Sequence, residues 1–576
     1  MQRVKSVGLC WWSKLGRGGS RHVGTSPSVG RELLSRTPRR FHSSTPPWVP
    51  NYIDGRTVPS RSTREASAVW NPCTGAVLRR TPESELDEVR AAAAAASAAL
   101  PSWAETPITQ RARILFELRE RVNGRVDALA ACVSEELGKT RPDARGDVMR
   151  GLEVLEYATS VVSHLQGNLT MGIARDGLDI AQVREPLGVC VGLAPFNFPA
   201  MLPLWMFPMA LACGNTFVLK PSQRVPGASM LLAELATEAG VPPGVLNVVH
   251  GGQAASEALL DDPAVAAVSF VGSTAAGRAV YQRATRRGIR AQCNLGAKNH
   301  ACILPDVPQP TAVAEQLVGA AFGASGQRCM AISAVVLVGD GAFRSRMMQY
   351  LRDAAQRLRV GPPEDDRADL GPLASPAAKQ RVLRLIERAQ QAGARLVLDG
   401  RATQAPTVAA AADNDDDVAA KYAGGFWLGP TLLDNVRPDM EIYLEEVFGP
   451  VLVCLQAESL DEAIALVNGN AYGNGCAVYT SSGACAHEFV RRVQVGQVGV
   501  NMPIPVPLPA YGFTGSKASM MGDLHFYGRA GFEFFSRPKT IMSRWSLKSD
   551  TAARQAQLLQ APATAMPSFS ASDKAV

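Results

Sequence analysis

The sequence predicts an α/β fold with two doubly wound, Rossmann-like lobes facing each other across a cleft. Three observations carry this. Between about Trp48 and Arg544, short Val-rich runs alternate with helical stretches. The runs are bounded by Gly, Pro or Asn, as buried parallel strands are. They also fall into two groups, one before about residue 293 and one after. The first group is residues 189–193, 216–219, 246–249 and 268–271. The second is 301–304, 335–338, 451–455, 477–480 and 498–500. Helical patterns at 228–239 and 380–392 supply the crossovers that parallel strands need. Upstream, 83–99 is Ala-rich and 108–137 continues with helical periodicity. No repeat of 20–50 residues is present.

Composition supports large cores. The chain has 576 residues, 46% apolar and 19% charged, and a mean hydropathy near zero. That excludes disordered, collagen-like and disulfide-stapled classes. The net charge of +7 comes from the first 45 residues, which hold nine basic side chains and one acid, Glu32; the rest carries −1. A near-neutral body offers no electrostatic footprint for nucleic acid or a membrane surface. The basic, Ser-rich segment 1–45, ending in Arg40-Phe41-His42-Ser43-Ser44, has the composition of a mitochondrial transit peptide and points to the matrix. The longest apolar stretch, 198–213, is too short to span a bilayer and is interrupted by Pro199, Pro203 and Pro208. Eleven cysteines without C-x-x-C spacing fit a reducing compartment and give no metal site. Residues 402–425, with an acidic run at 413–417, read as an exposed insertion, and 550–576 as a disordered tail.

Five short segments carry chemistry. Val271-Gly272-Ser273 runs from a strand into a turn closed by Gly277, a place where free N–H groups and a helix end meet a pyrophosphate. The spacing matches neither the G-x-G-x-x-G fingerprint nor a P-loop. Pro195-Phe196-Asn197 ends a strand and aims an amide toward the carboxyl edge of the sheet. Lys220, in Lys220-Pro221-Ser222-Gln223, sits at another strand end as a donor for ribose or phosphate. Gly323-Ala324-Ser325-Gly326-Gln327-Arg328-Cys329 brings small residues up to a cysteine beside a cation, which favours the attacking thiolate. Glu445-Glu446-Val447-Phe448 presents carboxylates suited to ribose hydroxyls. Taken singly, each also fits an ordinary packing cysteine, surface lysine or loop end.

In this order, over about residues 48–545, they resemble the NAD(P)-dependent aldehyde dehydrogenases. The resemblance implies an NAD-binding lobe (48–167 and 186–293), a catalytic lobe (294–505) and a small β bridging element (168–185 and 506–545) that pairs subunits into a homodimer or homotetramer. Position by position it implies Cys329 as nucleophile and Asn197, with the Cys329 N–H, as the oxyanion hole. It assigns Pro195, Phe196, Lys220, Gln223, Ser273, Leu295, Glu446 and Phe448 to NAD, and Trp205 to the substrate tunnel.

Two departures narrow the reading. Hydrolytic members carry a Glu, in E-L-G-G-K, to activate water; here the stretch is Asn294-Leu295-Gly296-Ala297-Lys298. Asn takes no proton, so a thioester at Cys329 should wait for a thiol. With Gln-Arg-Cys-Met and Val500-Asn501-Met502-Pro503, this resembles the CoA-acylating branch that converts methylmalonate semialdehyde to propionyl-CoA, and malonate semialdehyde to acetyl-CoA, in valine and pyrimidine breakdown. Arg328 and Arg150 are the cations expected to meet the substrate carboxylate. The second departure is Gln223 where relatives have Glu, which weakens discrimination against NADP. A hydrolytic enzyme releasing free acids and an inactive nucleotide-binding relative are the alternatives.

Overall fold

A computed structural model describes residues 46–174, 178–403 and 420–544. The expectations for residues 1–45 and 550–576, and part (404–419) of the insertion read at 402–425, lie outside the described residues; in the described part Tyr422 is buried against Cys73 and Trp427, not exposed.

The first sheet has eight strands, five of them parallel, in the order Leu246–Val248, Thr216–Lys220, Val189–Leu193, Val265–Val271, Arg290–Asn294. Every residue of Val189–Leu193 and Thr216–Lys220 is buried, which is why these strands read as unbroken apolar runs. The chain lays two strands to one side of Val189–Leu193 and then returns to lay two on the other. Such a reversal opens a crevice at the carboxyl ends of the central strands. The helix Met201–Ala212 is buried all round, so it packs inside the lobe rather than on its surface.

The second sheet has seven strands, with Thr431–Asp434, Val451–Ala457, Ile332–Val338, Asn299–Ile303, Gly475–Tyr479 and Gln497–Val500 in parallel order. Arg395–Leu398 closes one edge antiparallel. Separate apolar clusters fill its two faces. A third, three-stranded antiparallel sheet joins Asn168–Ala174, Leu178–Pro186 and Ser536–Arg544.

Each Val-rich run is a strand; four other readings change. The periodic stretch 108–137 is two helices, Ile108–Gly124 and Val126–Leu137, because Arg125 leaves helical geometry after Gly124. Early residues expected to alternate form antiparallel hairpins instead, Asn51–Ile53 with Arg56–Val58 and Glu65–Asn71 with Ala76–Pro82. The strand Arg290–Asn294 has no Val signal, yet it is the fifth parallel strand of the first sheet. Of the segment 506–545 assigned to the bridging element, only Ser536–Arg544 pairs there. Phe513, Phe526, Tyr527, Phe532 and Phe534 are buried in the core of the first lobe, and Met520–Met521 extends the first sheet. Their aromatic bulk needs a core, which a three-stranded ribbon lacks.

Candidate active site

Cys329 follows a backbone held in an unusual shape. The helix Pro310–Phe322 ends in a turn where Ala324 (φ 51°), Ser325 (φ 55°) and Gly326 (φ 67°) are all left-handed. A side chain at 326 would put its Cβ 2.2 Å from the Gly449 carbonyl oxygen. Two successive non-glycine residues in this region cost free energy, and neighbouring bonds have to hold them. Asp143 Oδ2 accepts the Ala324 N–H at 3.0 Å, and Gln327 Oε1 accepts the Ala374 N–H at 3.1 Å. The Cys329 carbonyl accepts from Asn299 Nδ2 at 2.8 Å and Asn474 Nδ2 at 3.1 Å. The sulfur is therefore fixed from both sides of the chain.

Burial pushes the Cys329 thiol up to about 12, with the Glu446 carboxylate acting in the same direction; the N–H groups of Cys329 and Met330 and the Arg328 guanidinium oppose this more weakly. Arg328 acts on the thiol in the expected sense, but burial outweighs it. Its guanidinium pairs with Asp143, whose other oxygen takes the Ala324 N–H, so its charge is largely met. Asn197 is buried and donates from Nδ2 to the Gln327 carbonyl at 3.0 Å. Its amide keeps a second N–H for an oxyanion.

A cavity of about 330 Å³ opens on Cys329, lined among others by Lys139, Arg150, Trp205, Arg328 and Tyr527. Each cation in its wall has an acid partner: Lys139 Nζ with Asp147 at 2.9 Å, Arg150 with Glu153 at 2.8 Å, and Arg328 with Asp143. The Lys139 ammonium also lies 3.9 Å over the Phe198 ring. Burial lowers the Lys139 ammonium and raises the Asp147 carboxyl against their mutual attraction. Trp205 packs 5.2 Å from Phe513 and edge-on, 4.9 Å, to Tyr527. Sequence reasoning placed Arg150, Trp205 and Arg328 here but missed Lys139, Asp143, Asp147 and Tyr527. The spacing of Asp143, Asp147 and Arg150 on the helix Arg141–Ala158 was a usable signal, since such positions share one helix face.

On the other side, a crevice of about 750 Å³ is lined by Pro195, Phe196, Lys220, Gln223 and Ser273. Lys220 donates to the carbonyls of Pro221 and Gly251 at 3.2 and 3.0 Å; burial lowers its ammonium to about 8, with Glu83 opposing. Ser273 caps the helix Thr274–Arg286, accepting the Ala276 N–H, which leaves the N–H groups at the helix start facing an anion. Glu446 and Phe448 line a small void of about 20 Å³ shared with Cys329, room for one water. Glu446 Oε1 accepts the Ala297 N–H at 3.0 Å, and burial raises its carboxyl to about 7. Phe448 meets Phe196 edge-on at 5.8 Å, tying the two lobes at the crevice mouth. Leu295 does not join these residues. It is buried beneath the helix Thr274–Arg286, where a Cβ at Gly277 would fall 2.0 Å from its Cδ2, so its side chain serves packing. Asn294 is buried at its strand end, and its Oδ1 has no hydrogen-bond partner.

A strand-switch crevice meeting a strained turn with a central cysteine is an arrangement with known counterparts. The profile of the aldehyde dehydrogenase family matches residues 58–541. The chain belongs to the aldehyde dehydrogenase family. Among its relatives, a mitochondrial methylmalonate-semialdehyde dehydrogenase [acylating] of Arabidopsis thaliana is 49% identical over 513 residues, covering 89% of this chain and 81% of that one. The mitochondrial methylmalonate-semialdehyde/malonate-semialdehyde dehydrogenase [acylating] of Homo sapiens is 46% identical, over 92% of this chain and 94% of that one. A crystal structure from Sinorhizobium meliloti, assigned to methylmalonate-semialdehyde dehydrogenase and complexed with NAD, superposes with a TM-score of 0.83 at 42% identity over 88% of this chain and 100% of that one. Within this aldehyde dehydrogenase, no described helix is long and apolar enough to cross a membrane.

Proposed function

We propose that this aldehyde dehydrogenase oxidises methylmalonate semialdehyde, and malonate semialdehyde, with NAD, and releases propionyl-CoA or acetyl-CoA. The observation that carries the CoA-acylating reading is Asn294, an amide where hydrolytic members have their carboxylate base. The relatives' acylating names and the NAD-complexed neighbour support it.

The Cys329 thiol gives its proton to water in the cavity as its sulfur attacks the aldehyde carbon, and the resulting alkoxide is held by the Asn197 amide and the Cys329 N–H. Donors fixed before the reaction stabilise such an oxyanion at no cost in reorganisation. Bound NAD supplies the hydride acceptor. Lys220, Gln223, Ser273, Glu446 and Phe448 would hold it, the Glu446 carboxylate being suited to ribose hydroxyls. Once the hydride has left, Cys329 carries a thioester β to the substrate carboxylate. Loss of CO₂ gives an enolate that the same donors stabilise, and its protonation gives propionyl-Cys329. Without a base at 294, water is a poor acceptor and the thiol of CoA takes the acyl group. Cys329 leaves as a thiolate and regains its proton, which its raised thiol favours.

The bridging sheet favours a homo-oligomer. Leu169 and Met171 on one edge strand are 65% and 71% exposed, and Ile541 and Met542 are exposed on the opposite edge strand, apolar side chains that a second copy could cover. Residues 1–45 are read as the targeting signal for the mitochondrial matrix, in line with the relatives' mitochondrial names. Product analysis with methylmalonate semialdehyde, NAD and CoA tests the function. Propionyl-CoA in step with NADH supports it; free acid formed at the same rate with and without CoA refutes it.

A further inference from the structure

The cavity beside Cys329 contains a polar side chain with no acid or base partner that the reaction as described does not use. Tyr527 is 2% exposed and lines the cavity with Cys329, Arg150 and Trp205. Its backbone sits at φ 42°, ψ −162°, a region that bulky L-residues adopt only under constraint and that recurs at ligand clamps. The fold supplies the constraint. The Phe513 N–H donates to the Phe526 carbonyl at 3.0 Å, the Gly531 N–H donates to the Tyr527 carbonyl at 2.9 Å, and Gly528 packs so closely that a Cβ there would fall 2.7 Å from the Gly512 nitrogen. These bonds turn the ring inward against Trp205.

The hydroxyl gains nothing in return from the protein. Among the described residues the Tyr527 hydroxyl makes no hydrogen bond, and the neighbouring Trp205 Nε1 is buried with no partner. The cations of the wall each have a carboxylate already, and the Trp205 N–H is a buried donor left without an acceptor. A buried donor without an acceptor is costly, and a ligand that supplies one recovers the loss. Burial keeps the Tyr527 phenol protonated, Cys329 and Glu153 act in the same sense, and Arg150 acts against them. The hydroxyl thus lies within reach of the fields of both the nucleophile and the Arg150–Glu153 pair.

We infer that the Tyr527 hydroxyl is a specificity determinant that donates a hydrogen bond to the carboxylate of the aldehyde substrate, next to Arg150, while the aldehyde carbon meets Cys329. This rests on the carboxylated substrate of the proposed function. A carboxylate one carbon from the aldehyde fits the arrangement because it is a charged acceptor placed two bonds from the reacting atom. The Tyr527 donor then selects for carboxylated over neutral aldehydes of the same size.

Tyr527→Phe tests this with two aldehydes, methylmalonate semialdehyde and isobutyraldehyde, in which a methyl group replaces the carboxylate. Removing a hydrogen bond to a charged group is expected to lower kcat/KM for the semialdehyde about ten- to a hundredfold, with isobutyraldehyde unchanged within about twofold and the melting temperature kept. An equal fall for both aldehydes, or no fall for the semialdehyde, overturns the inference. Combining Tyr527→Phe with Arg150→Met gives a second reading. Two groups on one carboxylate lose less together than the product of their separate losses, and strict multiplicativity contradicts a shared ligand. Failure of the parent enzyme to make propionyl-CoA would instead strike the proposed function.

Discussion

The two sides of Cys329 are built differently. On the cofactor side, Pro195-Phe196, Lys220 to Gln223, and Gly272-Ser273 each come from a single strand end, and three neighbouring strands of one sheet bring them into the same crevice. On the substrate side, the wall is assembled from five separated stretches, around 139–154, 198–205, 324–330, 504–513 and 527. Its charges are paired one by one, Lys139 also lying over the Phe198 ring. A crevice made from contiguous turns binds a constant ligand through backbone groups. A cavity made from scattered side chains can change its ligand by single substitutions, so specificity belongs there.

The largest effect should come from the sulfur that both sides share. Cys329→Ser is expected to remove the pre-steady-state burst of NADH by a factor on the order of 10⁴–10⁶, while NAD still quenches protein fluorescence. A surviving burst would mean another nucleophile. Asn197→Ala should slow the burst about 10²–10³-fold, as loss of one oxyanion donor does, with little change in the KM for NAD; a change confined to that KM would move Asn197 to the cofactor side. Asn294→Glu should open hydrolysis, raising CoA-independent formation of free acid by about 10²-fold or more.

The pH dependence separates the sides further. The Glu446 carboxyl is raised to about 7, so it is protonated below that pH and loses its charge as a ribose acceptor. The KM for NAD should therefore rise as pH falls from 7 toward 6, and Glu446→Gln should flatten that rise; an unaltered slope would mean that another group titrates. The smallest change is expected at Gln223, where Glu should increase preference for NAD over NADP by about tenfold through repulsion of the 2′-phosphate. An unchanged ratio of kcat/KM would show that the side chain does not face the ribose.

The same contrast explains what could be read in the sequence. Strands such as Val189–Leu193 and Ile332–Val338 announce themselves because burial on both faces demands unbroken apolar residues. Arg290–Asn294, half polar, and the two-residue strand Met520–Met521 carry no such pattern, since tertiary pairing alone makes them strands. The residues that line the crevice proposed for the cofactor were legible because each lies in a short motif. Leu295 is the exception, its motif position filled by a side chain packed inward. Lys139, Asp143, Asp147 and Tyr527 were missed because burial of a charge or strain at a tyrosine depends on partners far along the chain. The pairing of Arg328 with Asp143 was likewise hidden: a partner 185 positions distant is invisible beside Arg328-Cys329.

Position 294 and position 446 pose the remaining contrast, an amide where a base is expected and a carboxyl beside the sulfur. In the proposed cycle Glu446 is occupied by ribose while the thioester forms, so acyl-Cys329 has no free base at hand. Rapid mixing of the enzyme with methylmalonate semialdehyde and NAD, without CoA, measures this directly. The expected record is one NADH per active site followed by a stall, with propionyl-CoA released when CoA is added. Continued NADH production with free propionate and no CoA would contradict it.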